Sequence, residues 1–478
     1  MRTVRDSVGF AVAVATLSCG LASAPAVASA QEHPEKARIE LGSLTFLPEI
    51  DVRLRGEMRN DRPDFARIAQ RRVQWSMLSR ARLGVAVERG FVAAKITLQD
   101  ARALGNGPSP LTLGHGPPLP AFGPYEAFVE ARSSAARPSF VRIGRQAVEW
   151  GEGRLLGVAD FSPTGRSLDA ARARAVWGNV EIEALGVLLA QPTFVERNAG
   201  DELVAFSRTG AQLAAARIAY SYAPLLSIEL FGFARFTDLT PQGTISPALG
   251  VFSYARARSQ LYTASLRISG RDDVLSYGVE GAVQGGDAIV EKEQPILAYS
   301  VAGHIDRRFS RLLWKPTLRV IGGYASGGPR AGKLAHFDPL LPDTQRWHGR
   351  FDLFGFSNLA DVGGQIEATP LTDVTAFLGY RYAHLANADG EWIGAALDTI
   401  GAPGPGTSGA LGHEMSFGLS VEPLPGFTLA ASYSALVLGE SAKSVFASRL
   451  TNNGLPTFAT AAPDTTHYAF AEARVRFP

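Results

Sequence analysis

Residues 50–58 read Ile50-Asp51-Val52-Arg53-Leu54-Arg55-Gly56-Glu57-Met58, and their alternation decides the fold class. Successive side chains of an extended strand point to opposite faces. Ile50, Val52, Leu54 and Met58 therefore share one face, and Asp51, Arg53, Arg55 and Glu57 share the other. An apolar face toward lipid and a polar face toward a lumen is the pattern of a transmembrane β-barrel strand. The pattern recurs outward from here. Leu83, Val85 and Val87 oppose Arg80, Arg82 and Glu88. In the last run, His467 to Phe477, the residues Ala469, Ala471, Ala473, Val475 and Phe477 oppose Tyr468, Phe470, Glu472, Arg474 and Arg476. A final strand ending in an aromatic residue also resembles the signal read by barrel-assembly machinery, although Pro478 follows it.

The connections between such runs alternate in length. Short joints fall at Arg89-Gly90, Gly178-Asn179, Ala223-Pro224-Leu225, Gly270 to Asp273, Ser310-Arg311, Pro370-Leu371 and Pro423 to Gly426. Long Gly-, Pro- and Asp-rich segments fall at 59–74, 104–123, 146–167, 192–207, 239–257, 285–294, 326–356, 386–410 and 439–465. Outer-membrane barrels have this asymmetry because periplasmic turns only reverse the chain, whereas the longer loops form the extracellular rim. The reading is an all-β, antiparallel up-and-down barrel of about eighteen strands, with both ends of the chain on the periplasmic side.

Arg2 and Arg5, an apolar stretch from about Val8 to Leu21, and Ala28-Ser29-Ala30 before Gln31 form the pattern of a secretory signal peptide. The expected division is a signal peptide at 1–30 cleaved near Ala30, a short periplasmic segment at 31–48, and a barrel at 49–478. The Gram-negative outer membrane is the expected location. The sole cysteine, Cys19, lies in the signal segment, where Thr16 argues against a lipoprotein site. The mature chain can then hold neither a disulfide nor a thiolate metal site. No later segment is an uncharged apolar run of the length a spanning helix needs.

Formal net charge is +2, so position matters more than total. Of 47 basic residues only six are lysine. A GC-rich genome would produce that bias, and so would a lumen selected for guanidinium, which binds carboxylates bidentately and keeps its charge. Arg53, Arg55, Arg80, Arg82, Arg142, Arg172, Arg174, Arg474 and Arg476 all fall on the lumen phase. The lipid face must exclude charge anyway, at about 2–4 kcal/mol per residue at the midplane, so part of this preference is forced. Asp51, Glu57, Glu126, Glu130, Glu181 and Glu183 supply counter-charge. A plainer reading is that the arginines pair with these carboxylates to hold the barrel's shape, whereas a ring with excess guanidinium would select anions.

Two segments resemble the alginate export family. The first runs from Val141-Arg142-Ile143-Gly144-Arg145-Gln146 through Trp150-Gly151-Glu152-Gly153-Arg154-Leu155-Leu156-Gly157 to Gly165-Arg166-Ser167-Leu168-Asp169-Ala170-Ala171-Arg172. The second is His336-Phe337-Asp338-Pro339-Leu340-Leu341-Pro342 with Trp347-His348-Gly349 and Asp352, where Leu341 takes a tyrosine position and Gln345 a frequent histidine. The resemblance implies an outer-membrane channel whose arginine-lined constriction passes a polyuronate, and it points to Arg145, Arg154, Arg166, Asp169 and Arg172, with Asp169 orienting arginines. Alternation alone puts Arg145 on the lipid side; a bulge at Gly144 is expected to re-aim it inward. The long periplasmic plug of known exporters has no counterpart among these short turns. An inward extracellular loop, 146–167 or 326–356, is the expected constriction.

The partners implied are outer-membrane lipid, an anionic polysaccharide or small anionic solute, and periplasmic export proteins. No cofactor or metal is expected. The main alternative is a porin for small anions, sugars or aromatic acids. An outer-membrane enzyme lacks support: the chain has no Gly-x-Ser-x-Gly, His-Glu-x-x-His or Gly-Lys-Ser/Thr motif, and its histidines are scattered. Glu149 and Glu152 are too closely spaced in a Gly-rich loop to mark a glycosidase pair, since separation in space decides that chemistry. Acidic loop residues such as Asp160, Asp338, Asp343 and Asp389 lack calcium-loop spacing. Trp75, Tyr125, Trp177, Tyr262, Tyr380, Tyr382 and Trp392 are expected in interfacial girdles, with Trp150, Trp347 and Trp392 as candidates for sugar stacking. Arginines that alternate with apolar residues form no nucleic-acid patch.

Overall fold

The strand quoted above pairs along both edges. β1 (Leu44–Asn60) runs antiparallel to β2 (Val73–Arg89), with Arg53 opposite Arg80. Its other edge pairs with the last strand, β18 (Thr465–Phe477), from Ile50 opposite Phe477 to Asn60 opposite His467. First-to-last pairing closes the sheet and leaves no open edge of N–H and C=O groups in lipid. Between them run β3 (Val92–Gly105), β4 (Ala121–Arg132), β5 (Phe140–Gln146), β6 (Leu168–Trp177), β7 (Val180–Ala190), β8 (Ala211–Ala223), β9 (Leu226–Leu239) and β10 (Ala257–Arg271). The circuit continues through β11 (Leu275–Ile289), β12 (Gln294–Arg308), β13 (Thr317–Ala325), β14 (Leu359–Leu371), β15 (Val374–Leu385), β16 (Ala410–Leu424) and β17 (Phe427–Leu438). The result is a closed antiparallel barrel of eighteen strands. The computed structural model describes residues 37–60, 73–105, 121–190, 210–239, 257–290, 293–330, 332–395, 397, 399–451 and 463–477. The expected signal peptide at 1–30, its expected cleavage near Ala30 and Cys19 lie outside the described residues.

β1 begins at Leu44, inside the segment assigned to the periplasm, because the pairing with β2 extends down to Thr45 opposite Glu88. Nine connections leave one end of the barrel and are mostly long, except that the expected long segment 285–294 shrinks to residues 290–293 because β11 and β12 extend into it; the eight at the other end span two to eight residues. One short turn has no counterpart in the sequence reading. Ser133 to Ser139 contains no glycine, and its ends are held by the Ser139 N–H donating to Ser133 Oγ at 3.0 Å. The joint at Ser310-Arg311 widens to residues 309–316, and Pro370-Leu371 belongs to β14, with Thr372-Asp373 making the turn.

The outward phase is the apolar one: Leu83, Ile143, Val283, Leu378 and Met415 are each about 60% exposed. The inward phase near the short turns is charged. Toward the long-loop end the lumen instead holds a hydrophobic core, in which Trp150, Leu156, Phe337, Phe351, Leu353, Trp392 and Ile400 are buried. Loops 147–167 and 326–358 build it together. Gly157 N–H donates to Leu341 O at 2.8 Å, Leu341 N–H to Leu155 O at 3.0 Å, and Asp343 N–H to Gly153 O at 2.7 Å. A short helix, α1 (Glu440–Thr451), buries Ala442 and Val445 in the same core. The alternating pattern did not anticipate it, although its sequence has neither glycine nor proline.

Candidate pore-lining site

The alternation of β1, β2 and β18 brings Arg53, Arg55, Arg80, Arg82, Arg474 and Arg476 onto one stretch of inner wall. Arg474 forms a two-pronged bond to Asp51, with Nε to Oδ1 at 2.8 Å and Nη2 to Oδ2 at 2.6 Å, and Arg80 reaches the same carboxylate at 3.0 Å. Arg55 Nε pairs with Glu57 at 2.8 Å, while Glu472 lies 3.5 Å from Arg55 and 3.8 Å from Arg53.

The inward loop supplies the remaining acceptors. Asp160 places its carboxylate 3.0 Å from Arg80, 3.1 Å from Arg82 and 3.1 Å from Arg474. Arg53 donates to the carbonyls of Asp160, Phe161 and Ser162 at 2.7, 3.2 and 3.0 Å. Arg55 donates to Phe161 O at 2.8 Å and stacks its guanidinium 3.7 Å over the Phe161 ring. Arg82 donates to Thr164 O at 3.0 Å and lies over Tyr125. Gly165 makes that approach possible. Its φ is +64°, and a Cβ there would stand 2.5 Å from the Arg82 guanidinium.

Burial by itself would raise the Asp160 carboxyl, but Arg80, Arg474, Arg53 and Arg82 hold it well below the usual range. A carboxylate depressed on docking stabilises the docked loop above its free value, and that stability is lost only as pH falls through the depressed value. Single-channel current is therefore expected to show no new opening between pH 7 and pH 4. An opening transition centred near pH 4 would mean that Asp160 is outside the cluster.

The other candidates separate into three groups. Arg142, Arg172 and Arg174 face the lumen on the adjoining wall. Arg142 bonds Glu130 at 2.8 and 2.5 Å, Arg172 bonds Glu183 at 2.8 Å, and Arg174 donates to Pro138 O. Arg154 and Arg166 sit on the loop and knit loop to loop. Arg154 lies 3.9 Å over Trp347, and Arg166 donates to Gly157, Leu341 and Pro342 carbonyls at 2.8, 2.6 and 2.8 Å. Burial pushes Arg166 down to about 10, with Asp343 opposing.

Arg145 and Asp169 require a correction. The pairing of β5 with β6 is continuous from Phe140 opposite Arg174 to Gln146 opposite Leu168, with no bulge. Arg145 therefore keeps the outward phase of Val141 and Ile143, opposite Asp169, and the two bond each other at 3.1 Å. Gly144 serves close strand approach instead, since a Cβ there would meet Ala127 O at 2.3 Å.

Glu149 and Glu152 also part company. Glu149 bonds Arg346 at 3.0 Å, whereas Glu152 anchors the loop to the far wall through Arg267 at 2.7 Å and His304 at 2.9 Å. Trp150, Trp347 and Trp392 are buried in the lumen core rather than displayed for sugar. Trp75, Trp177, Tyr262 and Tyr380 face outward, but Tyr125 points inward against Arg82. A second basic group escaped the motif reading: Arg319 bonds Asp306 at 2.6 and 2.7 Å, and Arg381 pairs with Asp361. Their lumen phase on β13 and β15 was the available signal.

Below the Asp160 cluster, toward the short turns, lies a cavity of about 550 Å³. Its lining includes six cations, Arg82, Lys95, Arg132, Arg142, Arg474 and Arg476, and five carboxylates, Glu49, Asp51, Glu88, Glu126 and Glu130.

The alginate export family model matches residues 48–452. The chain belongs to the alginate export family. No curated protein matches it in sequence. In fold, this family member is similar to the BenF-like porin from Pseudomonas fluorescens Pf-5, at 10% identity over 90% of this chain and 98% of that one, with a TM-score of 0.54. It is similar also to Pseudomonas aeruginosa OccK11 (OpdR), at 12% identity over 90% and 96% of the two chains with a TM-score of 0.50. Pseudomonas aeruginosa OpdK with vanillate matches at 10% identity, 90% and 98% coverage and a TM-score of 0.50. Family and fold together are those of an outer-membrane channel.

Proposed function

We propose that this alginate-export-family barrel conducts carboxylate-bearing anions, with an alginate-like polyuronate as its cargo. The observation that carries the reading is the wall of Arg53, Arg55, Arg80, Arg82, Arg474 and Arg476. With Arg59 they make seven inward guanidiniums on β1, β2 and β18, against five carboxylates on the same strands, Glu49, Asp51, Glu57, Glu88 and Glu472. A uronate polymer carries one carboxylate per sugar, so adjacent guanidiniums can pass it along without retaining it. Conduction requires that kind of binding, favourable but distributed over several sites.

A second reading draws on the cavity. About 550 Å³ falls within the usual size of a small-molecule pocket, and the solved relative OpdK was crystallised with vanillate, so a porin for small carboxylates is the alternative cargo.

The reversal potential of the reconstituted mature barrel under a salt gradient, with oligouronate added to either side, tests both. Anion selectivity with oligouronate block, weakened in Arg82→Ala, supports the polyuronate channel. A weakly selective pore indifferent to uronates would make the arginines chiefly structural.

A further inference from the structure

We infer that the segment Asp160-Phe161-Ser162 is an internal pseudo-ligand: it fills a carboxylate-binding subsite made by Arg53, Arg80, Arg82 and Arg474, and a uronate carboxylate arriving from the periplasm competes for the same guanidiniums. The inference rests on the polyuronate reading above and adds a site and a regulation to it.

Three observations carry it. First, the segment offers what a uronate residue offers: one carboxylate flanked by uncharged oxygens. The Asp160 carboxylate meets Arg80, Arg82 and Arg474, and the carbonyls of Asp160, Phe161 and Ser162 take the bonds of Arg53. Second, the subsite borders the 550 Å³ cavity directly. Arg82, Arg474 and their partner Asp51 line that cavity, so a chain entering from the short-turn end meets the same guanidiniums that hold the loop. Third, the segment is a connection rather than a strand, between Leu156, bridged to Leu341, and β6, which begins at Leu168. Gly157 and Gly165 bound it, and its backbone includes Ala159 at φ +48°. Exchange of a tethered carboxylate for a mobile one keeps the arginines satisfied throughout, which avoids leaving a buried charge unpaired.

The test uses the full mature barrel in planar bilayers, with glucuronate as the probe on the periplasmic side. Wild type is expected to open more often as glucuronate rises. Asp160→Asn should be open several-fold more of the time without it and gain no further opening from it. Because Cys19 lies in the signal segment, Ser162→Cys provides an independent measurement that needs no Asp160 variant. Its labelling by an impermeant maleimide should accelerate with glucuronate. Equal opening of wild type and Asp160→Asn, together with labelling unaffected by glucuronate, would overturn the pseudo-ligand. Glucuronate or oligouronate acting identically on wild type and Asp160→Asn would leave the cargo reading standing and overturn the latch alone. An Asp160→Asn channel that opens while neither variant responds to any uronate would uphold the internal latch and overturn the cargo reading.

Discussion

Charge reversal of Arg474 and Arg476, as the double variant Arg474→Glu and Arg476→Glu, is expected to turn the proposed anion selectivity into cation selectivity. Both side chains line the cavity at the short-turn end, where six cations face five carboxylates. The variant leaves four cations against seven carboxylates. A unit charge about 4 Å from another interacts by roughly 1 kcal/mol even in bulk water and about four times that at a protein surface. The anion-to-cation permeability ratio should therefore move by at least tenfold, since about 1.4 kcal/mol corresponds to that factor. Reversal potentials in a salt gradient give the ratio directly. Asp51 would lose the two-pronged bond of Arg474, so the glutamine pair serves as the gentler variant, with its selectivity lying between wild type and the double reversal. Unchanged selectivity in both would mean that ions take a path away from this wall.

The second large effect concerns stability. Leu54 lies outward near the middle of β1, with Arg53 and Arg55 inward on either side. Leu54→Arg is expected to destabilise the folded barrel by about 2–4 kcal/mol, the cost of a cationic side chain at the bilayer midplane. Denaturant unfolding from phospholipid vesicles measures it, as a lower midpoint at unchanged slope. An unchanged midpoint would place Leu54 away from lipid and undo the assignment of the two faces, because a shift of one residue inverts every side chain of a strand.

That inversion explains why so much was legible in the chain. The face on which Arg53, Arg55, Arg80, Arg82, Arg142, Arg172 and Arg174 sit follows from a two-residue period set by the backbone itself. Arg145 shows the strength of the rule: alternation alone assigns it outward, and the motif-based expectation of a bulge at Gly144 fails because the β5–β6 register is unbroken. The long and short connections were readable because hairpins of two residues favour Gly, Asn or Asp, as at Gly90 and Gly178. Ser133 to Ser139 lacked that signal, closing with serine side-chain bonds instead.

By itself, then, the sequence determined the barrel, the apolar outer and polar inner faces of its strands, their number of about eighteen and the inward phase of arginines such as Arg53 and Arg80, all consequences of local geometry repeated along the chain. Which carboxylate meets which guanidinium was decided only in three dimensions. Asp51 and Arg474 are 423 positions apart, and Asp160 and Arg474 are 314 apart. They become neighbours because the last strand pairs with the first and because a loop between β5 and β6 turns inward. Sheet closure and loop docking depend on the whole chain at once, so no periodicity records them. They convert a row of arginines into a latched site.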